Sequence, residues 1–229
     1  MKKKLDTYRG KLTPAQIADG MNAAAKNALR LSQDAASLVD NGRFPTGASV
    51  AILAIEEAGK VPILRALALA KTDAEAVEIW KDYRSHTQKN VTWLLPQLVT
   101  KGARKLDDLR LLFDETSDHP FVIDQLKQLG FYTDCLGNAH WAIPSEVVDE
   151  TLARMLVKIS KTFTRDWVYT EKEVTLWIQH VGPVWKKDLS LMKQALINWY
   201  LAMQEAGLAP EGPNEMEQFI LHGLREKGT

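Results

Sequence analysis

Apolar positions recur at helical spacing along most of the chain. Thr13-Pro14 reads as an N-cap followed by a proline at the first helical position. From there to about Val39, residues Ile17, Met21, Ala24, Ala25, Ala28, Leu31, Ala35 and Leu38 form one stripe of a long amphipathic helix. Asn41-Gly42 stops it with left-handed cap chemistry. A second helix is expected over 46–70. It is small and apolar nearly all round, as in the centre of a bundle, and Pro62 is placed to kink it. Thr72-Asp73 starts a third helix, expected to run through Trp80 and His86 to about Leu95, where Pro96 weakens it.

Residues 97–140 are less regular. Short helices are expected around 106–113 and 121–129, followed by an irregular or extended connection in GFYTDCLGNAHWAIP. Further helices are expected from Pro144 to about Lys161, from Thr170 with Glu171 and Glu173 in its first turn, from Leu189 to Ala206 before Gly207, and over 216–224. No internal repeat interrupts this order.

Composition narrows the functional classes. The chain has 229 residues, 45% hydrophobic and 25% charged, enough for a true core. Lys plus Arg and Asp plus Glu each number 29, so the formal net charge is zero. That disfavours nucleic-acid binding by bulk positive charge, though not local patches. The single cysteine, Cys135, excludes an internal disulfide and a Cys-rich zinc site, and fits a reducing cytosol. It is expected to be a packed thiol. The longest largely apolar stretch, Ala48–Ile55, is far short of the ~20 residues of a membrane span. Met1–Lys4 is basic but leads into Leu5-Asp6-Thr7-Tyr8, not the apolar run of a leader.

Two clusters offer chemistry. The first is Glu56-Glu57-Ala58-Gly59-Lys60. Carboxylates in an apolar helix are costly to bury unless paired. Glu56 and Lys60 are expected to face each other at i,i+4, with Glu57 and Lys60 at i,i+3. Gly59 implies close backbone packing. The second cluster spans Asp82 to Lys89. On one continuous helix Asp82, His86, Lys89 and Trp93 share a stripe, and Arg84 lies nearby. A neighbouring carboxylate would raise the pKa of His86 and a nearby lysine would lower it, so titration near neutrality is an expectation for this residue.

Two successive helices would thus carry carboxylates, cations and a histidine, a set that suits phosphodiester cleavage. The same residues serve equally as rim ion pairs and incidental surface charge. The other histidines, His119, His140, His180 and His222, show no metal-ligand spacing, and no metal or cofactor is expected. Of the seven tryptophans, Trp167 and Trp177 are expected to be partly exposed and the rest mostly core.

The stretches SLVDNGRFPTGASVAILAIEEAGKVPIL, YRSHTQKN and FYTDCLGNAHWAIPSEVVDE, with TEKEVTLWIQHVGP and MKQALINWYLAMQEAGL, resemble the AbiV-like abortive-infection family of the HEPN-related helical superfamily, over roughly residues 13–207. The resemblance implies an all-α, HEPN-like antiparallel helical bundle with an additional C-terminal helical region. It divides into a core over 1–115 and an extension over 116–229 packed on the same bundle. It implies a cytoplasmic homodimer used in defence against phage, either a metal-independent ribonuclease with an RNA substrate or a translation-blocking effector. The alternative is a non-catalytic protein that binds a phage or host protein, its charged residues forming a structural or dimer network. By position, Glu56, Glu57 and Lys60 match the family's first element, and Arg84, His86 and Lys89 its second. Active HEPN ribonucleases carry Arg, four to six residues, then His. None of the five histidines here has an arginine at that distance.

Overall fold

The computed structural model describes residues 6–85 and 119–223, with the backbone alone for 119–123. The described chain is all-α apart from one small hairpin. Helix α1 (Pro14–Asp40) opens with a capping box: the Thr13 hydroxyl accepts the Gln16 N–H, and the Gln16 side chain accepts the Thr13 N–H. It ends at Asn41, with Gly42 at φ +72°.

The single helix expected over 46–70 is two, α2 (Phe44–Ala58) and α3 (Lys60–Ala68). The break falls at Gly59, one turn before Pro62. Proline has no N–H to offer the Ala58 carbonyl, and glycine tolerates the change of direction. Helix α4 (Asp73–Arg84) is capped by Thr72, which accepts the Glu75 N–H. It ends at Arg84, where Ser85 turns extended (φ −75°, ψ 132°), and the rest of the helix expected to about Leu95 lies outside the described residues.

After α5 (His119–Phe131), strands β1 (Asp134–Leu136) and β2 (His140–Ala142) pair antiparallel with Cys135 opposite Trp141. A two-stranded ribbon this short shields little side-chain surface. Cys135 is therefore exposed and not a packed thiol. The helix expected from Pro144 to Lys161 is divided into α6 (Pro144–Val147) and α7 (Glu150–Phe163), with Asp149 capping the second part. Then come α8 (Glu171–Val181), a 3-10 turn, α9 (Leu189–Glu205) and α10 (Glu215–His222).

Three groups of buried side chains hold these helices together. Ala35, Val39, Ala51, Ile52 and Leu156 join the C-terminal half of α1 to α2 and α7. Ile17, Met21, Leu64, Trp80 and Val174 join its N-terminal half to α3, α4 and α8. Trp177, Val181, Trp199 and Met203 join α8 to α9, with Trp177 and Trp199 edge-to-face at 5.3 Å. Trp177 is thus core, whereas Trp167 is 47% exposed. Helices α5 and α7 both pack on α2, and a buried Ser32–Ser160 hydroxyl pair (2.8 Å) ties α7 to α1. No described helix is long and apolar enough to cross a membrane.

Candidate functional site

Glu56 and Glu57 are consecutive on α2, so they project about 100° apart. That offset sends them to different partners. Glu56 turns into the interface with α5, where its carboxylate meets the Lys127 ammonium at 2.6 Å. Their side chains are only 3% and 5% exposed. Lys127 also pairs with Asp124, one turn back, at 2.8 Å. Burial alone drives the Lys127 pKa down, but hydrogen bonds and attraction to Asp124 and Glu56 outweigh it and hold the ammonium above its ordinary range.

The backbones come close beside this pair. The Ser49 hydroxyl, fully buried on α2, lies 3.0 Å from the Lys127 carbonyl oxygen and 3.1 Å from that of Pro45, the two acceptors sharing its single O–H. A Cβ at Gly130 would stand 2.2 Å from the Ser49 oxygen and 2.9 Å from the Pro45 carbonyl oxygen. Only glycine lets α5 lie this close to α2.

Glu57 lies at the rim and pairs with Lys60, each about one-fifth exposed. Glu56 and Lys60 do not pair as expected: Glu56 is turned to Lys127 on α5, Lys60 pairs with Glu57, and the helix break at Gly59 lies between them. The Lys60 ammonium sits over the Tyr83 ring at 5.2 Å, so the first cluster does reach α4. Tyr83 packs edge-on against Trp80 at 5.1 Å, and the Arg84 guanidinium stacks on Trp80 at 4.9 Å. Arg84 also donates to the Tyr8 and Trp80 carbonyls, while the Trp80 indole donates to the Gly10 carbonyl. The guanidinium, although exposed, is engaged in holding the N-terminal segment on α4.

His86 and Lys89 lie outside the described residues. A helical stripe running unbroken from Asp82 to Lys89 is not formed, because the chain leaves the helix at Ser85, whose N–H caps the Lys81 and Asp82 carbonyls.

Two ion pairs lie beyond what the sequence spacing predicts, Glu56–Lys127 and Arg65–Glu173. Lys127 carried a signal: a cation beside Ile123, Leu126 and Gly130 on the apolar stripe of its helix. Arg65 and Glu173 carried none that singled them out. They meet at 2.5 Å between α3 and α8, and Arg65 sits 5.2–5.8 Å from the rings of Tyr169, Trp177 and Trp199. Burial raises the Glu173 pKa, against the opposing pull of Arg65 and hydrogen bonds from Arg65, Thr170 and Trp167. Among the described residues, no group of three or more His, Cys, Asp or Glu side chains is arranged to hold a metal ion.

A family model, HEPN_AbiV, described as AbiV, matches residues 16–165, a span that takes in both clusters, α2 to α7 and all of α1 but its first two residues. No curated protein and no solved structure matches the chain.

Proposed function

The chain belongs to the HEPN_AbiV family, and from that premise we propose that it is an antiphage abortive-infection protein that works by binding its target, not by cutting RNA. The carrying observation is the Glu56–Lys127 pair. A general acid, a base or a phosphate-holding cation must come within hydrogen-bond reach of a substrate. Glu56 is nearly sealed from solvent against α5 and is held by a lysine. Glu57 and Lys60 are paired with each other, and Arg84 is committed to backbone carbonyls and to the face of Trp80. The absence of an Arg-x4-6-His element agrees with this reading.

In this reading the charged residues hold α2, α3, α4 and α5 in register. The bundle so fixed presents its outer faces to a second copy of the chain and to a phage or host component in the cytoplasm.

The test is to incubate the purified protein with total cellular RNA, wild type beside His86→Ala, while following thermal melting and dimer mass. The expected result is no RNA cleavage that depends on His86, in a protein that runs as a dimer. Cleavage by the wild type that is lost in His86→Ala, with melting and mass unchanged, replaces this reading with a ribonuclease. There His86 is the acid/base, Arg84 and Lys89 hold phosphate, and Glu56, Glu57 and Lys60 orient the site.

A further inference from the structure

Helix α1 serves two of the buried groups, and the seam between them falls at its middle. Ile17 and Met21 belong to one, Ala35 and Val39 to the other. Ala25 and Ala28 lie in between and line one cavity together with Ala58 at the end of α2. Three methyl-sized side chains leave space that larger ones would fill. The cavity measures about 190 Å³. An apolar cavity of about 150 Å³ holds one benzene ring. The space therefore admits a single ring with one small substituent.

The opposite wall is aromatic and held in place. Phe163 ends α7, and Trp167 and Tyr169 follow in the connection to α8. The Asn22 side chain fastens that connection to α1, donating to the Tyr169 carbonyl and accepting the Tyr169 N–H, both at 2.8 Å. The Trp167 indole hydrogen-bonds Glu173. Walls fixed before binding lose little freedom when a ligand enters.

Arg165 is the one charged side chain among the lining residues. It is exposed, at the mouth, and makes no ion pair among the described residues. Asp166 beside it is not part of the wall. The hydroxyl of Thr164, also in the wall, is already given to the Ser160 carbonyl at 3.0 Å. The cavity thus offers apolar and aromatic contact to a ring, and one uncommitted guanidinium to a group at its edge.

We propose that this cavity is a binding site for a monocyclic aromatic carboxylate, its ring against Trp167 and the three alanines and its carboxylate on Arg165. A guanidinium matches a carboxylate with two parallel hydrogen bonds. A neutral ring leaves that cation unpaired, a phosphate ester finds no second cation, and an aliphatic acid forgoes stacking on the indole. The site lies apart from the Glu56–Lys127 pair and the Arg84 contacts. It goes beyond the binding reading of function and stands whether the chain binds or cuts its target.

The experiment is a ligand-observed NMR titration of the full chain with benzoate, benzyl alcohol and hexanoate. A ligand of this size is expected to bind saturably with a dissociation constant between about 10 µM and 1 mM. Benzoate is expected to bind about tenfold or more tightly than either comparison compound. Arg165→Gln should weaken benzoate about tenfold and leave benzyl alcohol within about twofold. Ala25→Leu, which fills the cavity from α1, should abolish binding of both. Trp167→Ala should weaken benzoate about fivefold or more, and it keeps the test decisive should Ala25→Leu fail to fold in thermal melts. The control Lys172→Gln removes an exposed cation of α8 that does not line the cavity, and should leave benzoate binding unchanged. Equal weakening by Lys172→Gln and Arg165→Gln overturns the proposal, since it marks general attraction of anions. Benzyl alcohol or hexanoate binding as tightly as benzoate overturns it, and so does the absence of saturable benzoate binding. None of these outcomes touches the non-cleaving reading, which the RNA incubation tests separately.

Discussion

Glu56 on α2 and Lys127 on α5 stand 71 residues apart in sequence and 2.6 Å apart in space, nearly sealed from water. Removing one member of such a buried pair exposes the cost of the charge left behind, typically about 3–5 kcal/mol, whereas replacing both by apolar residues is often near neutral. Lys127→Met is therefore expected to lower unfolding stability by about 3–5 kcal/mol, and Glu56→Leu/Lys127→Met to recover most of it. Denaturant titrations of the two variants check this. Equal losses in single and double variants would show that the pair is not the unit that matters. The sign with pH follows from the raised Lys127 value. Its contribution is fully present below the ordinary 10.5 and is lost as pH rises through the higher folded value.

Glu57 and Lys60 provide the contrast at the rim. Their side chains are 18% and 19% exposed, and such pairs contribute at most about 1 kcal/mol. Glu57→Gln should cost no more than that in the same titration. A loss comparable with that of Lys127→Met would mean that the rim pair is more deeply committed than its exposure indicates.

Gly130 tests the approach of α5 to α2. An alanine Cβ there would meet the Ser49 hydroxyl, which has rotamers to escape into, and the Pro45 carbonyl, which has none. Overpacking of this kind costs about 1–3 kcal/mol. Gly130→Ala is expected to lower the melting temperature, and adding Ser49→Ala should relieve only the part due to the hydroxyl.

Glu173 supplies a pH signature opposite to the usual one for a carboxylate. Its folded pKa is raised by burial above the ordinary 4.5, so the folded state binds the proton more readily than the unfolded chain. Its contribution to stability is fully present below 4.5 and falls as pH rises through the higher folded value. The melting-temperature difference, wild type minus Glu173→Gln, should grow in favour of wild type on acidification from pH 7 towards that range. A difference that shrinks instead would mean that attraction to Arg65 outweighs burial.

Much of the helical frame was legible locally. Thr13-Pro14, Asn41-Gly42, Thr72-Asp73 and Thr170-Glu171 mark helix ends because caps act over three or four residues, a range that sequence spacing resolves. The break at Gly59 and the end at Arg84 were not resolved, because runs of good helix formers mask a local loss of one or two hydrogen bonds. Cys135 and Trp177 were misplaced for a related reason. Residue type sets only an average burial, and the hairpin left one exposed while the α8–α9 contact covered the other.

The sequence by itself determined an all-α chain of balanced charge with carboxylates inside an apolar helix, since these follow from residue type and from neighbours within one turn. Only the tertiary structure decided that Glu56 answers to Lys127, that Lys60 turns to Glu57 and Tyr83, and that Arg65 meets Glu173 from 108 residues away. Such a partner is chosen by which helix faces pack together, and that choice is made by the whole core.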